Sequence, residues 1–313
     1  MSRRRRRRSS GLNLLIAIDK PFGEVTRSID NQVGRVLRDD GVGHAGTLDP
    51  AVTGVVVLGV GQAKKLIPLL EEGKRKAYAA RIDFGTQTDT DDAQGSAIRE
   101  AAVPNELRDE DYARKVLASF VGKIKQRPPM YSAIKVDGVR AYDRARAGEV
   151  FELDPREVEV FEARLVSISC GECVSWHCDF VVSGGTYIRA IARDLGLVTN
   201  SAAHLGALCR TASGPVALED CTTLSRVQEL GPERISEVAL DPVRLLGYPS
   251  LELSERELVL VQNGTRFTPQ TGDLVEGDMV SLVYGGRLFG VWQLEDGLLR
   301  PKTNLPLGVE GVH

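Results

Sequence analysis

The chain has 313 residues, a length that fits roughly two domains and a full hydrophobic core. Hydrophobic residues make up 42% and charged residues 27%, values that argue against wholesale disorder, and no apolar run approaches the roughly 20 residues of a membrane-spanning helix. Five sparse cysteines do not suit a secreted disulfide scaffold, and the apolar stretch at 12–18 is too short for a signal-peptide core, so a soluble, cytoplasmic protein is expected.

The first feature along the chain is a run of six arginines, Arg3 to Arg8. Like charges at that density repel one another, so residues 1–11 are expected as a disordered tail, either solvated or a non-specific phosphate-binding arm. Lys+Arg number 40 against 43 Asp+Glu; without the run the body carries 34 against 43, a net charge of −9. Any RNA binding by the body must therefore come from local patches.

Residues 12–18 read as a buried strand closed by the turn Pro21-Phe22-Gly23. Ile29, Val33, Val36 and Leu37 recur at helical spacing, which predicts an amphipathic helix over 27–38, stopped near Gly41. A glycine-rich loop follows from Gly41 to Pro50. A strand is expected at 55–60, a short helix at 63–70, a strand at 76–84 and a helix at about 108–120. After Pro128-Pro129 come a short strand, an Asp137-Gly138 turn and a helix near 141–147. The region 157–183 alternates as β structure around a two-residue turn, Gly171-Glu172. A helix is expected at 187–197, with helical residues persisting to Leu246 and a boundary at Gly247-Tyr248-Pro249. Beyond it, segments 279–284 and 288–294 flank Gly285-Gly286 as a second hairpin in a small β-rich domain. The fold class is α+β with a large, mainly antiparallel sheet.

Several motif-like strings are decoys. Gly41-Val42-Gly43-His44-Ala45-Gly46 has the letters of a dinucleotide fingerprint, but a helix precedes it where a strand is required. Asp89-Thr90-Asp91-Asp92 resembles a calcium loop whose glycine comes one position late. Cys170, Cys173, His177 and Cys178 do not converge on one metal, because alternation puts His177 and Cys178 on opposite faces. Neither a metal nor a cofactor is expected.

What remains is His44-Ala45-Gly46-Thr47-Leu48-Asp49-Pro50, an aspartate presented in a loop with glycine for close approach and proline to stiffen the exit. This block, continued by Thr53-Gly54, resembles the signature of the TruB pseudouridine synthases. The resemblance runs in family order through Asp19-Lys20-Pro21, Lys76-x-Tyr78, Gly85, Thr88-Asp89-Thr90, Pro129-Met130-Tyr131-Ser132-Ala133 and Lys135. It continues through Gly184-Gly185-Thr186-Tyr187-Ile188-Arg189, Asp194-Leu195-Gly196 and Ala203-His204-Leu205 with Leu208 and Arg210, covering roughly residues 12–215. Each block is modest evidence; the ordered set is highly specific.

The resemblance implies a pseudouridine synthase catalytic domain over 12–247, its sheet flanked by helices, and a PUA-like RNA-binding domain over 248–313. It implies isomerisation of a T-loop uridine of tRNA, uridine 55: the base is extruded, its N-glycosidic bond cleaved, the uracil rotated and rejoined through C5. Asp49 would be the catalytic carboxylate, by attack on ribose or base or by abstraction of a sugar proton. Arg189 would be its guanidinium partner, favouring the ionised form, with Asp92 holding the arginine. Tyr78 would stack on the target uracil, and His44 would fill the gap in the RNA stack. Gly46 and Thr47 would meet the substrate in the same loop. Lys20 and Leu208 match pocket positions, with a structural lysine packed against Tyr78 and plain core as their other readings. Lys64, Lys65, Lys74, Arg75 and Lys76, and Lys123, Lys125 and Arg127, would touch the RNA backbone unless they form solvated faces.

Three departures stand out: Glu24-Val25-Thr26 where small hydroxyl residues are usual, Gly184 for a frequent lysine, and no glycines before Ala203-His204. The reading is of a cytoplasmic, monomeric enzyme with tRNA as its partner and no membrane or protein partner. A non-catalytic RNA-binding or tRNA-folding protein and a guide-RNA-dependent relative are the alternatives.

Overall fold

In a computed structural model, residues 9–131, 135–136, 139–140, 144, 151, 153–269 and 274–313 are described. The arginine run, Ser132-Ala133, the Asp137-Gly138 turn and nearly all of the helix expected at 141–147 lie outside the described residues. The chain divides into two compact units, one from the N-terminal segment to Glu72 with Ser213–His313, the other from Gly73–Ala212.

The first unit opens with β1 (Leu14–Lys20), followed by α1 (Thr26–Val36), β2 (Val42–Ala45), β3 (Val52–Val60) and α2 (Ile67–Glu71). Strand β1 is buried on both faces except at Asp19, which is why it reads as a continuous apolar run. It pairs antiparallel with β3, Lys20 opposite Gly54. Strand β2 pairs with β3 as well, His44 opposite Leu58, so the loop expected from Gly41 begins as a strand. Its glycines conceal this: Gly43 faces Gly59, and a side chain at Gly59 would meet the Lys64 backbone nitrogen at 2.7 Å. Helix α1 buries Ile29 and Val33 one turn apart, and also Thr26 and Asp30. The helix expected at 63–70 starts as a 3₁₀ turn over Gly61–Leu66 before α2.

The second unit holds β4 (Lys76–Phe84), β5 (Thr86–Thr88), β6 (Ala97–Glu100), α3 (Glu110–Ala118), β7 (Gly122–Gln126), β8 (Lys135–Val136), β9 (Val139–Arg140), β10 (Arg156–Cys170), β11 (Val174–Val182), α4 (Ile188–Val198) and β12 (Ala203–Ser213). The strand order is β12-β4-β11-β10-β7, and the β4–β11, β11–β10 and β10–β7 pairs are antiparallel. Facing pairs Tyr78–Phe180, Ala80–Cys178 and Ile82–Trp176 line one buried face. Trp176 donates its indole N–H to the Leu107 carbonyl at 2.8 Å and meets Phe84 edge-on. Burial pushes the Cys178 thiol pKa up to about 12, with Asp179 adding to the shift.

Two expectations are corrected in this unit. Cys170 pairs with Val174, so the hairpin turn has three residues, Gly171 to Cys173, rather than two. Residues 203–213 form a strand although they were expected as helical. Alanine and leucine favour helix locally, but pairing beside β4 overrides that weak preference.

The chain returns to the first unit with β13 (Val216–Ala217), α5 (Leu224–Arg234) and α6 (Pro242–Leu246). Next come β14 (Ser250–Glu252), α7 (Glu255–Gln262), β15 (Met279–Tyr284), β16 (Arg287–Glu295) and β17 (Leu298–Val309). The last four strands form a sheet in the order β14-β15-β16-β17. The expected Gly285-Gly286 hairpin is present; both residues have positive φ (54° and 72°), as this tight turn demands. One face packs Phe289, Trp292 and Leu294 against Val261 and Phe267. The other sends Val283, Leu288 and Val291 into a cluster with Leu15, Ala17, Val55 and Val57, so the two chain ends share one core. Among the described residues no helix is long and apolar enough to cross a membrane.

Candidate active site

The Asp49 loop is fastened from three sides within the first unit. After β2 the chain turns at Gly46, whose φ of 67° suits glycine. Thr26, at the start of α1, then clasps Leu48 at both ends of its residue: the threonine hydroxyl donates to the Leu48 carbonyl at 2.9 Å and accepts the Leu48 N–H at 3.0 Å. Asp49 itself is half-buried, and its carbonyl accepts the Val52 N–H. The Pro50 carbonyl accepts the Gly23 N–H at 2.8 Å.

Lys20 is the third fastening. Its side chain is wholly buried, and its ammonium donates to the carbonyls of Pro21 (3.0 Å), Pro50 (3.1 Å) and Val52 (2.6 Å). All of its donors are accounted for, so Lys20 is a structural pin beneath the loop. Burial pulls its pKa below the ordinary lysine value, and the negative charges of Glu24 and Asp49 oppose that shift. The departure at Glu24-Val25-Thr26 keeps the Thr26 hydroxyl that clasps Leu48, while Glu24 accepts a bond from Gln32.

His44 lies half-buried on β2. Its Nδ1 is 2.8 Å from the Asp30 carboxylate on α1 and its Nε2 is 3.2 Å from the hydroxyl of Thr47, which is exposed. Thr26 and Asp30 are missed by sequence reasoning. Their only signal is polar residues one turn apart on the apolar face of a helix.

The second unit holds the other candidates. Tyr78 is buried in β4, opposite Phe180. Arg189, in the first turn of α4, is buried and donates from Nη1 to the Thr90 carbonyl at 3.1 Å and from Nη2 to the Tyr131 carbonyl at 2.9 Å. Asp92 lies 3.7 Å from Arg189 and is itself fixed, accepting the Thr90 hydroxyl at 2.7 Å and the Gln94 N–H at 2.9 Å. The Asp89–Asp92 string is thus a turn that presents carbonyl and carboxylate to a guanidinium. Arg193, one turn on, pairs with Asp91 and Asp194. Burial raises the pKa of both carboxyls above the usual value, and Arg193 opposes the shift in each. Leu208 is half-buried on β12.

The basic clusters are partly committed within the chain. Lys65 donates to the Asn304 carbonyl, Arg75 lies over the Phe161 ring, and Lys123 pairs with Glu157. Cys170 and Cys173 are exposed free thiols, and His177 bonds Ser169. Among the described residues no cluster of His, Cys, Asp and Glu is suited to a metal ion.

The first unit thus holds an aspartate in a fastened turn, and the second holds a buried arginine on two backbone carbonyls. The fold matches that of the archaeal box H/ACA small ribonucleoprotein Nop10–Cbf5 complex with a TM-score of 0.67 at 20% identity, covering 93% of this chain and 86% of that one. A structure of an H/ACA ribonucleoprotein bound to a substrate RNA containing 2′-deoxyuridine matches with a TM-score of 0.66 at 19% identity, covering 94% and 85%. Residues 35–188 match the N-terminal domain of the TruB family pseudouridylate synthases. A protein of Rhodospirillum rubrum named tRNA pseudouridine synthase B is 34% identical over 95% of this chain and 97% of its own length. One of the same name from Acaryochloris marina is 38% identical, over 92% and 97%. The chain belongs to the TruB family and is a pseudouridine synthase, an isomerase.

Proposed function

We propose that the protein converts uridine 55 in the T-loop of tRNA to pseudouridine. The observation that carries this reading is the Asp49 loop, whose backbone is held on both sides of the aspartate by Lys20, Thr26 and Gly23. Relatives of full length named tRNA pseudouridine synthase B support tRNA as substrate and do not favour a non-catalytic RNA-binding protein or a guide-RNA-dependent relative.

In this reading the target uridine is flipped out of the loop at a cost of a few kcal/mol, and His44 takes its place in the stack. Gly46 and Thr47 meet the extruded nucleotide, and Tyr78 stacks on its uracil. Asp49 drives cleavage of the glycosidic bond by attack on ribose or base or by removal of a sugar proton. The uracil turns and rejoins C1′ through C5; the C5 proton leaves to solvent and N1, freed from the sugar, takes one up. Arg189 stabilises negative charge during these steps and is steadied by Asp92. Leu208 supplies apolar surface. The protein acts in the cytoplasm as a monomer, without a cofactor or protein partner, and the C-terminal segment 248–313 is a PUA-like RNA-binding domain.

The test is tritium release from unmodified tRNA labelled at uracil C5, with protein alone and no metal or cofactor added. The wild type releases tritium, and Asp49→Asn binds the tRNA within a few-fold but releases none. Turnover by Asp49→Asn would remove Asp49 from the chemistry. Tight binding by a wild type that releases nothing would leave an RNA-binding protein.

A further inference from the structure

We propose that Asp30 is the positioning residue for His44, fixing the tautomer and plane of the imidazole before RNA arrives; this rests on the reading of His44 as the group that fills the vacated stack. Asp30 sits one helical turn after Thr26, so one face of α1 holds both Leu48 and His44. Its Oδ2 is 2.8 Å from His44 Nδ1, and the Asp30 side chain is 2% exposed against 18% for His44. An ionised carboxylate can only accept, so Nδ1 carries a proton, and in the neutral ring Nε2 accepts the Thr47 hydroxyl. The ring is thus held at both nitrogens.

Asp30 is an expensive way to fill that position. Arg27 shares Oδ2 at 3.1 Å, but its side chain is 69% exposed and its charge is screened. The other oxygen, Oδ1, is buried with no hydrogen-bond partner among the described residues. A half-satisfied carboxylate on a face that otherwise buries Ile29 and Val33 weakens packing, and an apolar side chain would suit the fold better. What the carboxylate provides is orientation of His44. Without it the imidazole is free to rotate and change tautomer, and each binding event must order it again.

The experiment joins a double-mutant cycle to a spectroscopic readout. Imidazole ¹⁵N spectra of the wild type show His44 with its proton on Nδ1, and Asp30→Leu releases it to the Nε2–H form preferred in solution. Asp30→Leu and His44→Ala each lower kcat/KM for tRNA roughly tenfold to a hundredfold, the range for a hydrogen bond to a charged group. The double variant is no worse than His44→Ala alone, because Asp30 acts only through His44. If Asp30→Leu does not fold, Asp30→Ala, which also lacks the acceptor, enters the same cycle. Additive losses, wild-type kcat/KM in the Asp30 variant, or an Nε2–H ring in the wild type would each overturn the proposal. A wild type that releases no tritium overturns the proposed function instead, while the spectra still decide whether Asp30 holds the ring.

Discussion

Replacing Thr26 by valine keeps the shape of a wholly buried side chain and removes its hydroxyl. The hydroxyl makes two bonds to Leu48, a residue only 6% exposed, so both Leu48 backbone groups are stranded away from water. At roughly 1–3 kcal/mol per stranded group, the loss is about 3 kcal/mol. For a unit of this size that lowers Tm by roughly 6–12 °C. Leu48 is bonded directly to Asp49, so the carboxylate drifts as well, and a displacement near 1 Å costs about a hundredfold in kcat. Thr26→Ser keeps the hydroxyl and loses one buried methyl, about 1 kcal/mol. The assay is tritium release at varied tRNA concentration beside thermal melts of both variants. Valine cuts kcat strongly with little change in KM, and serine stays near wild type. If the two behave alike in kcat and Tm, the clamp is packing alone and the argument fails.

Arg189→Lys leaves a point charge that cannot reach both the Thr90 and Tyr131 carbonyls, and turnover falls at least tenfold to a hundredfold; a near-normal rate in the tritium assay would take Arg189 out of the mechanism. Removing residues 1–9 weakens tRNA binding mainly at low salt and flattens the plot of log Kd against log salt by at most about 5, since six arginines are lost. An unchanged slope makes the arm passive. Asp91 has a raised pKa, so the folded state binds its proton more tightly than the unfolded chain, and its contribution to stability declines as pH rises from about 3.8 through the folded value. Asp91→Asn is uncharged at every pH and therefore compares better with wild type at pH 7 than at pH 4.5. Equal differences in urea midpoint at both pH values would contradict the burial argument.

Patterns carried by neighbouring residues were legible without a structure. The strand at 76–84, the alternation at 174–182 and the Gly285-Gly286 hairpin follow from local periodicity and turn chemistry, and the structure has them at those places. The glycine, aspartate and proline around Asp49 marked the loop for the same reason: close approach and stiffness belong to residue types. Where local preference and tertiary pairing disagreed, pairing won. Residues 203–213 favour helix by composition yet form a strand, and glycines that read as loop carry β2.

What no window of sequence contains is the second partner of a long-range contact. Thr26 meets Leu48 across 22 positions, Asp30 meets His44 across 14, and Arg189 meets Thr90 across 99. A threonine and an aspartate on a helix are ordinary until the fold sets them against a loop whose backbone and imidazole they can hold. The residue types that can do the chemistry were written in the sequence. The supports that make one aspartate, one histidine and one arginine stay put arise only on folding, because a hydrogen bond depends on distance in space and not along the chain.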